Sequence, residues 1–415
     1  MACDALVRRR TCLGLALGLA ADIAFPRTPD ASGVVEEVGP AGTYKTVCAF
    51  ATRVGYSPIG VMLAGDGLIH GATLGGGEFG YGTVYRVDAG RRIRVLHSFS
   101  QKSGDGWMTS APPTEGDDGA LHGVTFRGGA ADLGVAYRLD VDGRWEVLHS
   151  FGVSGDDGYG CQAGLLRASD GQLYGASGLG GAHGGGVIFR LGKDGIVTPL
   201  WQLGRPGEPG DVRDALIEGA DGQLYGTSVD GGVDRWGTVF SLARDGSDRR
   251  VLHSFEYATE SLPGASLVQG TDGFLYGTTQ GGGAHGRGCV YRLATDGSEY
   301  RVLHDFKGPM DGFRAASPLL ELEPGVFVGT TSQDNVQIEG GALFVVTADG
   351  RFQGLRRFGR KVLHGVPDGA SPRGAMCRLP SGGFVGACGT GGANDVGTLW
   401  FARAPDEGWG SVLRT

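Results

Sequence analysis

Three short motifs in the chain combine a carboxylate, a glycine and an aromatic ring, and these residue types together can recognise sugars. An aromatic ring stacks on the apolar face of a sugar, and a neighbouring carboxylate accepts hydrogen bonds from its hydroxyls. The same surface could instead bind a protein. The motifs predict a binding site for a glycan or a protein partner that is formed by Asp105 and Trp107, Asp157 and Tyr159, and Asp311 and Phe313.

Two other uses of these residues stay open. The aspartates can cap the loop backbone while the aromatic rings wedge between neighbouring units. Alternatively, the carboxylates can cleave a glycan if they converge, as paired carboxylates do in glycoside hydrolysis. One carboxylate per loop offers few oxygen ligands for Ca²⁺. We therefore expect no metal and no cofactor, and the sequence assigns no catalytic residue.

Histidines recur in the motif Val-Leu-His, at His97, His149, His253 and His304. One histidine per repeat, on an outer strand, would place them far apart, so we expect them to pack on the neighbouring unit and not to form a metal site. The chain contains no Ser-His-Asp, Gly-x-Ser-x-Gly, Walker or His-Glu-x-x-His pattern. The usual signatures of hydrolases and nucleotide-binding proteins are therefore missing from the sequence.

All these motifs belong to a unit that the chain repeats seven times. A glycine follows an aromatic residue, a histidine or a valine in each copy, at Gly71, Gly123, Gly175, Gly226, Gly277, Gly329 and Gly386. The steps between these glycines are 52, 52, 51, 51, 52 and 57 residues. A period of about 50 residues is typical of propeller blades.

The copy from Ala265 to Phe306 contains four short runs rich in Val, Leu, Tyr and Phe, separated by Asp-Gly or Gly-Gly. Such runs predict antiparallel strands joined by hairpins. The sequence therefore predicts an all-β protein, a seven-bladed β-propeller of four-stranded antiparallel blades. The tight Asp-Gly turns should share one face, whereas the Gly-Gly loops and the longer connections between blades share the other, where sites usually lie.

An eighth copy of the fourth-strand pattern, Tyr44–Phe50, precedes the first full unit. We expect it to close the ring by pairing beside Thr398–Ala402, with Trp409–Leu413 as an edge or tail. The reverse assignment of the two terminal strands and an open solenoid are the alternatives.

The N-terminal sequence predicts export. Arg8-Arg9-Arg10 precedes a short apolar run, Cys12 to Ala21, which is the pattern of a signal peptide. We assign residues 1–21 to a signal peptide, 22–43 to a linker and 44–415 to the propeller. Sec and twin-arginine export both remain possible. We expect no membrane span after cleavage.

The formal charge of −8, without a basic cluster in the body of the chain, argues against a nucleic-acid partner. We expect a monomer.

Five cysteines follow the signal peptide. A disulfide between Cys377 and Cys388 is possible, although packing of all five in the core is the simpler expectation.

The repeat resembles the GloVer tandem repeat of choice-of-anchor bacterial surface or secreted proteins. The resemblance rests on Asp221–Ser228, Gly231-Gly232, Gly237–Phe240 and Val251–Phe255 among other copies, and it covers roughly residues 44 to 415. It implies an exported propeller-like array of unassigned activity. Members often end in a sorting anchor; the chain stops at Thr415 without a hydrophobic tail, so covalent anchoring is not expected.

These observations predict an exported scaffold that binds a ligand or a protein, located in the periplasm, outside the cell or on its surface. The alternative is a carbohydrate-active hydrolase or lyase that uses acidic residues at the mouth of the channel.

Overall fold

The chain forms a closed ring of seven small antiparallel sheets, which confirms the predicted seven-bladed β-propeller. The computed structural model describes residues 36–39, 42–88, 90–102, 104–256, 260–308, 311–315, 317–333, 340–359, 368–405, 408–409 and 413. The predicted signal peptide lies outside these residues. Within the part of the chain that is described, no helix has the length and apolar character needed to cross a membrane.

Each blade contains four main strands, which follow one another from the channel outwards. From first to fourth they are, in blade 1, Tyr56–Leu63, Ile69–Gly75, Thr83–Val87 and Ile93–Ser98; in blade 2, Thr114–Glu115, Leu121–Val124, Val135–Leu139 and Trp145–Ser150; in blade 3, Leu166–Arg167, Leu173–Ser177, Val187–Leu191 and Val197–Gln202; in blade 4, Ile217–Glu218, Leu224–Ser228, Thr238–Leu242 and Arg250–Ser254; in blade 5, Val268–Gln269, Leu275–Gly282, Cys289–Leu293 and Arg301–Asp305; in blade 6, Leu320–Glu323, Val326–Gln333, Ala342–Thr347 and Phe352–Arg357; and in blade 7, Gly369–Arg378, Phe384–Gly391, Thr398–Arg403 and Gly42–Ala49.

Short additional strands pair the connections between blades with the loops between second and third strands. Gly106–Trp107 pairs with Arg127–Gly128 in blade 2, and Pro209–Gly210 pairs with Asp230–Gly231 in blade 4. The long connections and the Gly-Gly loops therefore lie on one face, which we call the long-loop face. The remaining additional strands are Glu260–Pro263, Phe313–Ala315 and Glu36–Gly39; the last lies within the stretch assigned to a linker and pairs with Gly42–Ala49.

The glycine that marks the repeat is required by packing across the sheet. Gly123 faces Tyr137 of the third strand, and a Cβ atom on this glycine would lie 2.3 Å from the tyrosine hydroxyl oxygen. An aromatic ring covers the glycine in every blade, provided by Tyr85, Tyr137, Phe189, Phe240, Tyr291, Phe344 and Trp400. The period in the sequence is therefore the period of this glycine–aromatic contact.

The N-terminal strand closes the ring, as predicted. Gly42–Ala49 pairs antiparallel with Thr398–Arg403, so that blade 7 contains both ends of the propeller. The ring of Tyr44 stacks on Trp400 at a centroid separation of 5.8 Å. Because this pairing joins the two ends, the alternative of an open solenoid is wrong. Trp409 packs on Phe384, and residues 410–412 lie outside the described part.

The apolar core consists of layers between successive blades. Cys377 belongs to the layer between blades 7 and 1, with Val61, whereas Cys388 belongs to the layer between blades 6 and 7, with Val345. The two thiols are therefore on opposite faces of one sheet, and this position excludes the disulfide that the sequence left open. All five described cysteines are free.

Candidate functional site

The aspartates of the three predicted motifs each bond to a histidine of the preceding blade. We call each such pair a His–Asp clamp. The pairs are His97 with Asp105, His149 with Asp157 and His304 with Asp311, with Nε2 to carboxylate oxygen distances of 3.2, 2.8 and 3.0 Å. Between blades 6 and 7, Arg356 takes the place of the histidine and donates to Asp368 at 2.8 Å. The clamps connect the fourth strand of one blade to the connection that leads into the next.

The remaining oxygen positions of these aspartates serve the loop backbone. Asp105 accepts hydrogen bonds from the backbone amide and the hydroxyl of Ser100, both at 2.9 Å, and from the amide of Gly106 at 2.8 Å. Burial opposes ionisation of Asp105, but the hydrogen bonds from His97, Ser100 and Gly106 outweigh it and lower the pKa of the carboxyl. Asp157 is only 3% exposed. These carboxylates have internal partners in the arrangement that a loop cap requires.

The clamp histidines also pack on the neighbouring blade, as the sequence predicted. The imidazole of His97 stacks on Trp145 with centroids 3.8 Å apart, and that of His304 stacks on Phe352 at 3.5 Å. Among the described residues, no group of three or more His, Cys, Asp or Glu side chains could hold a metal ion.

The aromatic rings of the three motifs lie in the grooves between loops. Trp107 meets the edge of Tyr81 from blade 1 at 5.6 Å, and its Nε1 donates to Asp132 at 3.2 Å. Phe313 lies beneath the guanidinium of Arg287, 5.8 Å away. Tyr159 is joined to Leu179 through backbone hydrogen bonds of 2.8 and 3.1 Å. All three rings are half-buried, and within the described residues no ring contact joins one to another.

A different set of residues converges where the chain enters each blade along the channel. We call these four-residue stretches axial segments; they are residues 57–60, 108–111, 160–163, 211–214, 262–265, 314–317 and 371–374 in blades 1 to 7, of which residue 316 lies outside the described part. The first residue of every segment has a positive φ, between 53° and 68°, and only that of blade 3 is a glycine. Such backbone strain recurs where the surrounding structure enforces it and is frequent at functional sites.

The fourth residue of the axial segments lies where neighbouring blades come closest. A Cβ atom on Gly60 would lie 2.8 Å from the backbone nitrogen of Ala375 in blade 7, and a Cβ on Gly164 would lie 3.2 Å from the Cβ of Ala111 in blade 2. Side chains must therefore be small at this level of the channel. The fourth residues are Gly60, Ala111, Ala163, Asp214, Ala265, Ser317 and Gly374, so that blade 4 alone places a carboxylate there.

A cavity of about 540 Å³ lies on the long-loop face beside Asp214. Its wall includes the third axial residues of blades 2, 3 and 4, which are Ser110, Gln162 and Arg213. Trp236 comes from the loop that follows the second strand of blade 4, and Gln280 lies in the second strand of blade 5. Cavities of this size suit small ligands, and a few convergent polar groups usually fix the orientation of the ligand.

Two ion pairs frame the cavity. Arg213 Nε donates to Asp211 at 3.0 Å, and this bond raises the pKa of the arginine. Arg235 Nη2 donates to Asp230 at 3.0 Å, and the same two residues line a second cavity of about 400 Å³ between the loops of blades 3 and 4. Both guanidinium groups are thus oriented by a carboxylate within their own segment.

Asp214 differs from these paired carboxylates. Burial in the narrow part of the channel raises the pKa of its carboxyl to about 6, with Arg213 opposing that increase. A carboxyl that titrates near neutral pH within a polar cavity is a common feature of functional sites.

The sequence motifs did not identify Arg213, Asp214 or Trp236. The signal that could have found Asp214 is its departure from the repeat, since the aligned positions in the other six copies are Gly, Ala or Ser. The Asp-Gly motifs are recognisable because they recur, whereas Asp214 is recognisable only because no other copy has an acidic residue at its position.

Comparison with solved structures supports the fold. An oligogalacturonate lyase from Vibrio parahaemolyticus is 14% identical, with a TM-score of 0.56, and the match covers 90% of this chain and 97% of the lyase. An oligogalacturonate lyase in complex with manganese is 17% identical, with a TM-score of 0.55 and coverage of 93% and 98%. At these identities the likeness is one of fold alone.

At the level of sequence, no curated protein matches the chain. The Gloeobacter/Verrucomicrobia repeat matches residues 60–210 and 212–415, which cover the propeller apart from the closing strand Gly42–Ala49 and the first residues of blade 1. The chain belongs to the family of proteins built from this repeat.

Proposed function

We propose that this protein is an exported binding propeller that holds a small, hydroxyl-rich ligand, such as an oligosaccharide, in the cavity at the channel mouth. The observation that carries this proposal is the convergence of polar side chains from four successive blades, 2 to 5, on a cavity of about 540 Å³. The repeat places small or apolar residues at many of these positions elsewhere, so the polarity of this sector is a local property.

The chemistry of the wall suits a saccharide. The amides of Gln162 and Gln280 can each donate to and accept from a hydroxyl group. Arg213 is already oriented by Asp211, so less side-chain entropy is lost when it binds. The half-buried indole of Trp236 provides an apolar surface of the kind on which sugar rings stack.

Export rests on the N-terminal sequence. Arg8-Arg9-Arg10 and the apolar run that follows would direct the chain to the periplasm, the cell surface or the medium. Cell fractionation with sequencing of the mature N-terminus tests this part of the proposal. Full-length protein recovered from the cytosol would contradict it.

The second candidate is a carbohydrate-active hydrolase or lyase, and the pKa of Asp214 near 6 favours it specifically. A carboxyl with that pKa can accept or donate a proton near neutral pH. The solved structures with this fold include two that are named as oligogalacturonate lyases. An enzyme would turn over a polysaccharide, and Asp214→Asn would abolish turnover while the protein remained folded.

The deciding experiment is an oligosaccharide binding screen on the full chain. We expect Trp236→Ala to weaken the best hit by about tenfold or more, since a central aromatic anchor carries much of the binding energy. Gln162→Ala should weaken it less. Gln353→Ala, on the outer strand of blade 6, is the matched control for the glutamine variant.

A double variant, Trp107→Ala with Tyr159→Ala, separates the cavity from the predicted Asp-Gly-aromatic site. Loss of binding in that variant, with Trp236→Ala unchanged, would assign the ligand to Asp105, Trp107, Asp157, Tyr159, Asp311 and Phe313. Absence of any saccharide ligand would overturn the proposal and favour a protein partner.

A further inference from the structure

The axial segment of blade 7 holds an arginine in the register of Arg213. Arg373 is the third residue of segment 371–374, two positions after Ser371, whose φ is 53°. Asp211 precedes Arg213 by the same two positions and has the same φ of 53°. Blades 4 and 7 thus present an arginine at equivalent points of the channel wall, but from different sides of the ring.

The guanidinium of Arg373 is held close to the sheet. A Cβ atom on Gly389 would lie between 2.5 and 2.9 Å from its Nε, Cζ and Nη2 atoms, so the guanidinium in this position packs directly against the backbone of Gly389. Gly389 lies three residues after the repeat glycine of blade 7, the position that Val229 and Gln280 hold in blades 4 and 5, and both of these line the cavity. By this register, the guanidinium lies at the rim of the channel, at the same level as the cavity but in the sector of blade 7.

The two arginines differ in the residue that is available to neutralise their charge. Arg213 has Asp211, whereas the matching position in blade 7 is Ser371. Within the described residues, the side chain of Arg373 makes no hydrogen bond or salt bridge; burial lowers the pKa of its guanidinium, and the interaction with Cys388 opposes that shift. A half-buried cation without a partner costs free energy that a bound anion would recover.

We propose that Arg373 receives an oxyanion group of the ligand, so that the site selects acidic saccharides over neutral ones. This inference rests on the proposed function, because it adds a charged group to the ligand that the cavity holds. The planar guanidinium presents paired N–H donors that match a carboxylate or a sulfate group, and a fixed guanidinium binds such a group with both oxygens.

The test uses two probes with the same sugar backbone, the charged α-1,4-linked tri-uronide and its uncharged methyl ester, with the full chain. We expect the acid to bind about tenfold more tightly than the ester, which is the usual contribution of a hydrogen bond to a charged group. Arg373→Gln should remove this preference by weakening binding of the acid much more than binding of the ester. Arg373→Lys should retain part of it.

A second variant keeps Arg373 in place. Ser371→Asp would introduce the counter-ion that Asp211 provides in blade 4, and aspartate accepts this φ because Asp211 already adopts it. We expect this variant to lose the preference for the acid as well. Arg378→Gln, at an exposed arginine of the same blade, is the control for net charge and should behave as the wild type.

The outcomes separate the two proposals. Equal binding of acid and ester by the wild type, or an acid preference that survives in both Arg373→Gln and Ser371→Asp, would overturn the role of Arg373 and leave the saccharide site standing. Failure of both probes to bind, together with a negative neutral-glycan screen, would overturn the saccharide site itself.

Discussion

The His–Asp clamps and the axial segment of blade 4 place acidic residues on the same face, but the two regions use them differently. In the clamps, Asp105, Asp157 and Asp311 each bond to a histidine and to a backbone amide of their own loop. In the axial segment, Asp214 has no counterpart in the other blades, and burial raises its pKa to about 6. Repeated acidic residues therefore support the loops, whereas the unrepeated one is available for other chemistry.

The reason lies in how a repeat protein distributes its interactions. A contact that every blade needs is encoded in every copy, and its polar groups find partners within the unit. A ligand site needs an asymmetric set of groups, which appears as a departure from the repeat. The polar side chains of blades 2 to 5 that line the cavity are departures of this kind, as is Arg373 of blade 7, which has no salt-bridge partner among the described residues.

The largest effect is expected at the clamp between blades 6 and 7. Arg356 bonds to the buried carboxylate of Asp368 and lies 3.6 Å from the ring centroid of Tyr44, on the strand that closes the ring. Arg356→Ala would leave that carboxylate buried and unpaired, with an expected loss of about 4 kcal/mol in the free energy of unfolding. Denaturant unfolding followed by tryptophan fluorescence measures it.

Tyr44→Phe is the control for this prediction. It preserves the stacked ring and removes only the hydroxyl, which reaches Asp368 at a long 3.5 Å. The expected loss is below about 1 kcal/mol. If the two variants were equally stable, the clamp would contribute little to ring closure.

A smaller loss of stability is expected at an ordinary clamp. Asp157→Ala leaves His149 and the amide of Gly152 without their acceptor, which should cost about 3 kcal/mol. The exposed neighbour Asp156 provides a matched control, since Asp156→Ala removes a carboxylate from the same loop without a clamp. Thermal unfolding and saccharide affinity should be measured together, because a supporting role predicts a lower melting temperature with unchanged affinity.

The architecture was predictable because the contacts that define a blade leave a recurring pattern in the sequence. Asp-Gly turns, the glycine facing an aromatic ring, and the extra fourth-strand pattern at Tyr44–Phe50 each recur with a fixed spacing, and together they predicted the blades and the strand that closes the ring. Each of these signals reports a contact made within a blade or between successive blades, and such contacts follow from local sequence.

The cavity was not predictable in the same way. Its residues come from blades 2 to 5, so their proximity depends on how the ring brings the axial segments together. The backbone strain at the first residues of the axial segments was also not predictable, because the positive φ values occur at Ser57, Met108 and other residue types that do not signal a turn. The environment of Asp214 likewise depends on the closeness of neighbouring blades, which no stretch of the sequence encodes by itself.

The smallest of these effects concerns the pH dependence of stability. The pKa of Asp214 is about 6 in the folded protein, above its ordinary value of 3.8, so the folded state binds this proton more tightly than the unfolded state does. The contribution of Asp214 is therefore present at low pH and is lost as the pH rises from about 4 to 6. By linkage, this loss amounts to about 2 kcal/mol, reduced from the full shift because water in the channel screens the charge.

Asp214→Asn should remove this slope and stabilise the protein at pH 7, in contrast to the clamp variants, which destabilise it. The measurement is the difference in unfolding free energy between wild type and variant from pH 4 to 7.5, in which the titrations of the other groups cancel. Asp234→Asn, at an exposed position of the same blade, is the control for removal of one carboxylate. A flat curve for Asp214→Asn would mean that the carboxylate is fully solvated in the channel, and the case for proton transfer at this residue would be lost.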